Sequence, residues 1–578
     1  MAPPAKSSSP PQELCNVCSS PCKTFCATCK KVYYCCVDHQ KQDRKLHKLD
    51  CYPAKLEANL DYGGRCFVAS RVIKAGELIF KDKALLSGPS GAEVYFHIIC
   101  LGCYRSVKGN YKCSSCGWPL CSIRCEKLPH HSNNECKIFR DAQVPPCVLK
   151  PYQYDFINFL RALLLKNHGE DEGNNGTPTP NKQSWEQLLA LESHGEARAG
   201  NPFANRLVFE AIEFILKTCK LEGRFEPEVI DHVVGVWTIN SFGANPPAGV
   251  KPGYARMATL LFPKLCLAAH NCIPNTHGVL KENVKDGNPT YTMELIASSP
   301  IPEGGQIHTT YANVCEGTTE RREVLEDHYF FLCSCKRCSD PTEFGTYFSS
   351  LKCPDCPSGY LLSENPLDTF ANWACAEKCG GNSRKYSEFI PKINRIRKEI
   401  NAADMEYKAE DCIERYGEIL ETYKEKLLHP NHWLVIDMEF KLMLRISSFL
   451  PKLKKEEQSE MLKKLIELAQ HCLQIADVIQ PGLNSYRGKI LYCLVEGRLK
   501  QFIRNAPNQG ISPTLQIDGL KSMKEQAEEA ISILAREDGC DEKQVTMMLT
   551  QHIKTIEQML EVVKKQGKSG GGGERKRN

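Results

Sequence analysis

Residues 267–275 read LAAHNCIPN and place a short apolar run, a histidine, a cysteine and a Pro-Asn turn close together. Downstream, the chain continues to Tyr311 and then to a CxCxxC pattern at Cys333, Cys335 and Cys338. Taken alone, the stretch is equally compatible with a turn that carries a core histidine. The features on either side of it decide whether the stretch is such a turn or part of a functional site.

Length and composition limit the classes of protein that this chain can belong to. At 578 residues it is too long for one core, and roughly three to five folding units are expected. A composition of 42% hydrophobic and 25% charged residues with a net charge of +5 is typical of a globular protein and does not indicate a nucleic-acid partner. The N-terminus lacks the apolar core of a signal peptide, and no apolar run predicts a membrane span.

Cysteine usage points to metal binding. The chain has 32 cysteines, and without a secretory signal they are expected in a reducing compartment, the nucleus, the cytoplasm or both, where CxxC spacing indicates zinc rather than disulfides. The first group has the interleaved spacing of two cross-braced tetrahedral sites. One predicted site has the ligands Cys15, Cys18, Cys35 and His39, and the other has Cys26, Cys29, His47 and Cys51.

Two further groups have zinc spacing. The second group again offers eight ligands for two ions, and its histidine is either His131 or the neighbouring His130. Its ligands are Cys100, Cys103, Cys113, Cys116, Cys121, Cys125, His131 (or His130) and Cys136. The last group has the spacing of a zinc ribbon, and its ligands are Cys353, Cys356, Cys375 and Cys379.

Several motifs resemble those of the SET and MYND domain family. The first finger resembles a MYND zinc finger in its Tyr34-Cys35 step and its His47-x3-Cys51 ending. Residues 62–89 resemble the opening of a SET domain, with Gly64-Arg65-Cys66 in place of a Gly-x-Gly turn, and residues 235–242, GVWTINSF, resemble its Asn-x-Phe segment. Residues 269–275 match the family's Asn-His-x-Cys-x-Pro-Asn motif except at Ala269. The chain is identified as a member of this family, of the arthropod SmydA type.

This resemblance implies an S-adenosylmethionine-dependent protein-lysine N-methyltransferase whose substrate is a lysine-containing protein. It implies cofactor contacts from Gly64, Arg65, Asn240, His270, Tyr311 and Phe331. It also makes Tyr311 the catalytic tyrosine beside the transferred methyl group and places Tyr329 in the lysine channel. By itself, Asn240 is also typical of a turn or cap, and Tyr311 of a core aromatic. A four-thiolate zinc site is implied at Cys272, Cys333, Cys335 and Cys338, which brings the expected total to about six zinc ions.

Two departures from the family pattern weaken the expectation of activity. Ala269 replaces an asparagine that holds the cofactor, and a side chain at Cys66 is expected to crowd it. The alternative hypothesis is a catalytically inactive scaffold that recruits partners through its fingers, for example in transcriptional regulation. The MYND resemblance implies proline-containing peptide partners. A monomer is expected, with no membrane association and no specific nucleic acid, since neither finger has an Arg/Lys-rich recognition helix.

The predicted fold is an α+β multidomain protein. It has zinc fingers and a split, β-rich SET domain with a helical insert, followed by an all-α, TPR-like C-terminal domain; a plain helical bundle fits the last region equally well. The predicted segments are a disordered N-terminus at 1–13, a MYND finger at 14–51, the first SET part at 52–99, a second MYND-like cluster at 100–137, a helical insert with a mobile loop at 138–234, the SET core at 235–330, a post-SET zinc site and zinc ribbon at 331–382, the helical domain at 383–565 and a flexible tail at 566–578.

Overall fold

The computed structural model describes residues 14–48, 51–58, 64–91, 98–150, 153–167, 180–244, 256–505, 512–537 and 539–570. The predicted disordered segment at 1–13, residues 168–179 of the insert, where the mobile loop is predicted, and residues 571–578 of the predicted tail lie outside these ranges. The last helix ends at Gly570 rather than at the predicted boundary of 565. Among the described residues, no helix combines the length and apolar character that crossing a membrane requires.

The β-rich core joins strands from before and after the helical insert. One sheet has Asn288–Ala297 between Thr276–Lys285 and Leu78–Lys83, all antiparallel. Another has Ala258–Leu261 between Ser241–Ala244 and Leu86–Pro89. Two strand pairs complete the core, Ala54–Ala58 with Arg65–Ala69 in antiparallel register, and Ala269–His270 with His308–Thr309 in parallel. A chain segment of more than 150 residues thus separates strands that share a sheet.

Helices of the insert pack on this core through apolar faces. They are Phe156–Asn167, Pro180–Leu189, Gly195–Ala199, Pro202–Glu213, the π-helix Phe214–Thr218 and Pro227–Asn240. The helix Pro227–Asn240 crosses the predicted boundary between insert and SET core at residue 235. Its apolar run is buried along several turns, so burial against the insert favours a helix up to Asn240 and the strand begins at Ser241.

The first two zinc groups lie among short strands and helices, and their buried residues belong to different apolar cores. The first finger contains strands Thr24–Phe25 and Tyr33–Tyr34 and helix Val37–His47. The second group contains strands Ile98–Ile99, Ser106–Val107, Tyr111–Lys112 and Pro119–Leu120 and helices Ile123–Glu126, Pro129–Ser132 and Glu135–Ala142. Buried residues of the second group, such as Leu101 and Trp118, belong to the same apolar core as the SET strands. The first finger has a separate small core around Tyr34.

Helices also follow the SET core. Thr318–Tyr329 and Lys336–Ser339 come first, and a four-stranded sheet of Leu351–Lys352, Tyr360–Ser363, Asn372–Cys375 and Arg384–Lys385 forms the ribbon. The helical domain then contains Ile390–Asp404, Ala409–Tyr423, Trp433–Phe449, Lys455–Ile479, Ser485–Asn505, Pro513–Leu534 and Cys540–Gly570. Consecutive helices pack against each other, and the ribbon shares their core through Leu361 and Trp373.

The helical domain docks on the SET strands through polar contacts. Leu483 N donates to Ser298 O over 2.8 Å, and Arg536 Nη1 donates to Gly76 O over 2.8 Å. The observed architecture confirms the predicted α+β class with zinc modules, a split β-rich domain and an all-helical C-terminal region.

Candidate active site and zinc clusters

A cavity of about 670 Å³ lies between the SET strands, the insert and the segment after helix Thr318–Tyr329. It is lined by Gly64, Arg65, Leu191, Glu192, His194, Ile239, Asn240, Ser241, Phe242, Gly243, Cys266, Leu267, Ala269, His270, Thr310, Tyr311, Tyr329 and Phe331. Every residue that the sequence predicted for the cofactor, the methyl group and the lysine channel is in this set. A volume of this size is in the range of small-molecule sites.

Four rings form one wall of the cavity. Tyr311 and Tyr329 have centroids 4.9 Å apart, and the ring of His270 lies 5.5 Å from Tyr311 and 5.9 Å from Phe331. Phe331 meets Tyr311 edge-on at 6.4 Å. Aromatic faces attract cations, so this wall suits a positively charged ligand group.

Hydrogen bonds fix Tyr311 and His270 to each other and to the backbone. The Tyr311 hydroxyl donates to Ala268 O over 2.8 Å, and Tyr311 N donates to His270 Nδ1 over 3.0 Å. Burial lowers the pKa of His270 to about 4 and raises that of Tyr311 well above its usual value, so both are neutral at pH 7. Because Nδ1 accepts, the proton is on Nε2, which lies 3.4 Å from Cys272 Sγ.

The opposite wall comes from the insert and the first SET strands. Asn240 Nδ2 donates to Glu192 O over 2.8 Å and to Val236 O over 2.9 Å, which holds the loop after helix Pro180–Leu189 against the cavity. Arg65 Nη2 donates to Ala190 O over 2.6 Å of the same region. Gly64 has a φ of +72°, a conformation that glycine adopts without strain.

Leu191, Glu192 and His194 were missed by sequence reasoning. They follow an amphipathic helix, and their polar surroundings are typical of a solvated loop rather than of a binding wall. The signal that brings them to the cavity is tertiary, namely the two hydrogen bonds from Asn240 and Arg65 to the loop backbone.

Cys66, which was expected to crowd the cofactor, is not among the described residues that line the cavity, and the crowding stays a prediction. Cys66 is fully buried with Val68 and Ala269, and its Sγ lies 3.9 Å from Ala58 O. Arg65, which precedes Cys66 in the strand, lines the cavity. Ala269 does line the cavity, and its methyl group leaves space where the family pattern has an asparagine.

Six groups of cysteine and histidine side chains that were expected to bind zinc are brought together in the described part of the chain. Thiolates bound to one tetrahedral zinc at about 2.3 Å lie about 3.8 Å from one another. The Sγ–Sγ distances are 3.6 Å for Cys18–Cys35 and Cys26–Cys51, 3.4 Å for Cys103–Cys121, 3.8 Å for Cys113–Cys136, 4.0 Å for Cys272–Cys333, 3.5 Å for Cys272–Cys338, 3.9 Å for Cys353–Cys379 and 3.7 Å for Cys356–Cys375. These residues therefore fit zinc, which would occupy a closed, structural site in each group.

Histidine nitrogens complete three of the groups. His39 Nδ1 lies 3.0 Å from Cys35 Sγ, and His47 Nε2 lies 3.5 Å from Cys29 Sγ. In the second module, His131 Nε2 lies 3.5 Å from Cys116 Sγ. Its neighbour His130 instead lies 2.7 Å from Pro289 O, so the structure places His131 with the sulfurs.

A buried ion pair that the sequence analysis missed supports this histidine. His131 Nδ1 lies 2.8 Å from Glu135 Oε1, and Arg161 donates to both Glu135 oxygens over 2.8 Å. All three side chains are almost completely buried. Burial alone raises the pKa of Glu135, but Arg161 and His131 hold it below its usual value.

Known proteins with similar sequences include SET and MYND domain proteins. The chain is 24% identical over 412 residues to SET domain-containing protein SmydA-8, isoform B, of Drosophila melanogaster, which covers 69% of this chain and 81% of that protein. It is 24% identical over 309 residues to the mouse histone-lysine N-methyltransferase Smyd1, covering 52% and 59% of the two chains. The Xenopus laevis N-lysine methyltransferase SMYD2-A is 22% identical over 317 residues, covering 52% and 64%. These matches confirm the resemblance to the SET and MYND domain family that the motifs indicated.

No family model matches the chain. The solved SET domain of LSMT bound to lysine and AdoHcy aligns with 93% of this chain and 96% of its own chain. The TM-score is 0.27 and the identity is 11%, so the two structures are not similar enough to compare further.

Proposed function

We propose that this SET and MYND domain protein is an S-adenosylmethionine-dependent protein-lysine N-methyltransferase. The observation that carries the proposal is the cavity wall of His270, Tyr311, Tyr329 and Phe331, which faces the turn at Gly64. An aromatic wall suits both a sulfonium donor and a methylated ammonium product.

The proposed reaction needs alignment more than acid or base. When bound, S-adenosylmethionine would supply the methyl group, and its sulfonium sulfur would keep the electron pair of the S–C bond as the lysine nitrogen bonds to that carbon. Gly64, Arg65, Asn240, His270 and Phe331 would hold the cofactor, and Tyr311 and Tyr329 would align the amine and exclude water. The lysine must react as the neutral amine, and a dry aromatic channel lowers its pKa from about 10.4. The proton that the amine gives up passes to solvent.

Zinc is proposed to fix the scaffold of this site rather than to act in the reaction. A set of four thiolates, or of three thiolates and an imidazole, leaves no open coordination position. About six ions would be bound by the six groups, and the group of Cys272, Cys333, Cys335 and Cys338 would join the two segments that carry His270 and Phe331.

An inactive scaffold is the second candidate function, because Ala269 removes one expected cofactor contact. The first finger supports a recruiting role, since its helix exposes Val37 and Leu46 to 63% and 73%. A proline-containing peptide is the proposed partner of this surface. The protein would act as a monomer in the nucleus, the cytoplasm or both.

Calorimetry with S-adenosylmethionine separates the two functions. The enzyme is expected to bind the cofactor and to transfer a labelled methyl group to a lysine-containing protein. Absence of binding at millimolar cofactor would reject the methyltransferase and leave the scaffold.

Tyr311→Phe is expected to lower kcat about 100-fold with little change in cofactor Kd. The hydroxyl bond to Ala268 O fixes the ring, and its loss leaves the aromatic surface but not the alignment of the reacting atoms. Methyl transfer and calorimetry measure the two quantities. Tyr407→Phe, at a fully exposed position, is the control and should behave as the parent protein. Equal kcat values for the parent and Tyr311→Phe would contradict the assignment.

Ala269→Asn is expected to tighten cofactor binding. A buried hydrogen-bond partner contributes about 1 to 3 kcal/mol, which corresponds to roughly 5- to 150-fold in Kd. Ala269→Leu has a similar volume without the amide, and it should weaken binding by filling the cavity. Calorimetry that finds both variants weaker than the parent would show that asparagine makes no productive contact here.

A further inference from the structure

The helical domain contains a second cavity, away from the residues of the proposed active site. It has a volume of about 560 Å³ and lies between helices Ala409–Tyr423 and Lys455–Ile479. Four half-buried apolar side chains form its floor: Ile413, Phe449, Leu453 and Met461. We call this feature the acidic groove, because its remaining lining residues are mostly glutamates.

The acidic groove has an excess of negative charge in a chain whose net charge is positive. Its rim has Glu410, Glu414, Glu418, Glu421, Glu457 and Glu460, with Lys464 as the lining cation. Glu418 pairs with Arg415 over 2.8 Å. Within the described part of the chain, Glu410, Glu414, Glu421 and Glu460 form no ion pair, so their charges are available to a ligand. A cleft lined by one sign of charge attracts ligands of the opposite sign.

A glycine keeps the floor of the groove open. Gly417 lies in the interior of helix Ala409–Tyr423, where glycine is less favourable than alanine. A Cβ atom at this position would have no neighbouring atom within 4 Å, so packing does not require glycine there. The missing side chain widens the acidic groove between the glutamates of helix Ala409–Tyr423 and those of helix Lys455–Ile479.

We propose that the acidic groove binds a basic peptide segment of a partner protein, with large apolar side chains among its arginines or lysines. The apolar floor would take up the apolar side chains, and the glutamate rim would pair with the flanking cations. This recognition needs neither a cofactor nor a methyl-accepting lysine, so it is independent of the proposed methyl transfer. Charge complementarity is the reason to prefer this occupant over a second copy of the chain.

The test uses a fluorescein-labelled peptide of about twelve residues, with leucines at every third or fourth position among arginines. Arginine replaces lysine so that the proposed active site has no acceptor to bind. Fluorescence anisotropy with the full chain should show binding that weakens as salt is added. The variant Glu414→Lys/Glu421→Lys should raise Kd at least tenfold. The matched variant Glu525→Lys/Glu561→Lys changes the net charge equally at exposed positions of other helices and should leave Kd within about twofold.

Gly417→Trp separates groove binding from general charge attraction. This change fills the floor without altering charge, and it should raise Kd at least tenfold while the Tm stays the same or rises. A peptide with serines in place of the leucines should also bind at least tenfold more weakly. Equal losses in both charge-reversal variants, unchanged binding in Gly417→Trp, or no binding at all would overturn the proposal. Self-association of the chain that Glu414→Lys/Glu421→Lys abolishes would assign the groove to a second copy instead.

Discussion

Replacing Cys338 by serine is expected to remove one zinc ion per chain and to abolish cofactor binding. Cys338 Sγ is fully buried and lies 3.5 Å from Cys272 Sγ. Structural zinc sites contribute on the order of 10 to 16 kcal/mol of binding free energy, and that energy depends on the complete ligand set. A serine hydroxyl is a poor replacement for a thiolate at a zinc ion, so this site should empty.

The charges around this group strengthen the expectation. Zinc with four thiolates has two net negative charges, and the buried side chains of Arg321 and Arg337 lie beside it and share Glu343. Arg321 Nη2 also donates to Cys338 Sγ over 3.6 Å. Two guanidinium groups with one carboxylate leave one buried positive charge, which would offset half of the charge of the zinc-thiolate group. Loss of the ion therefore leaves a buried charge without compensation, which adds several kcal/mol to the cost.

The effect reaches the cavity through the chain neighbours of the ligands. His270 precedes Cys272, and Phe331 precedes Cys333, so the ion would hold both rings in one wall. We expect the cofactor Kd to rise beyond the calorimetric range. Elemental analysis gives the zinc content, and calorimetry gives the affinity.

Cys219→Ser is the matched control, because Cys219 is also buried but lies in none of the six cysteine and histidine groups described above. It should keep the zinc content and cofactor affinity of the parent. If Cys338→Ser retained both the ion and the affinity, the proposed role of this group would be wrong.

The zinc groups were the part of the site that the sequence predicted most completely. Interleaved CxxC pairs leave few ways to form tetrahedral sites, so spacing gave the ligands of both fingers and of the ribbon, whereas the resemblance supplied the site that joins Cys272 to the distant Cys333, Cys335 and Cys338. Where spacing allowed two solutions, as at His130 and His131, the choice depended on packing: His130 is held by Pro289 O from a distant strand.

The contacts that place the loop after helix Pro180–Leu189 could not be predicted from spacing or periodicity. Hydrogen bonds from Asn240 to Glu192 and from Arg65 to Ala190 place this loop. The two bonds join residues that are 48 and 125 positions apart along the chain. Such pairs leave no periodic signal in the sequence.

Glu135→Ala is expected to destabilise the chain strongly. It removes the carboxylate between His131 and Arg161, and the guanidinium of Arg161 is 2% exposed. Arg161 retains neutral acceptors at Leu101 O, Ser87 O and Tyr104 Oη, but its charge loses its partner. Breaking a buried pair in this way costs about 3 to 5 kcal/mol.

The same change should weaken zinc binding in the second module. A carboxylate that holds a ligand histidine fixes its ring and tautomer, and its loss lowers metal affinity about 10- to 100-fold. Zinc release to a competing chelator measures this effect. Urea unfolding, followed by tryptophan fluorescence to which the buried Trp118 and Trp237 of the same core contribute, measures the stability. Glu213→Ala, at an exposed surface pair with Lys217, is the control and should change stability by less than about 0.5 kcal/mol.

A double variant distinguishes the buried charge from the loss of packing. In Glu135→Leu/Arg161→Met both charges are replaced by apolar side chains of similar size, and such replacements are often close to neutral. We therefore expect the double variant to be more stable than Glu135→Ala, even though it removes more hydrogen bonds. His131 still lacks its carboxylate in both proteins, so zinc affinity should stay low in each. If the stability losses caused by the Glu135 and the Arg161 substitutions were additive, Arg161 would act independently of Glu135. That result would contradict the proposed coupling.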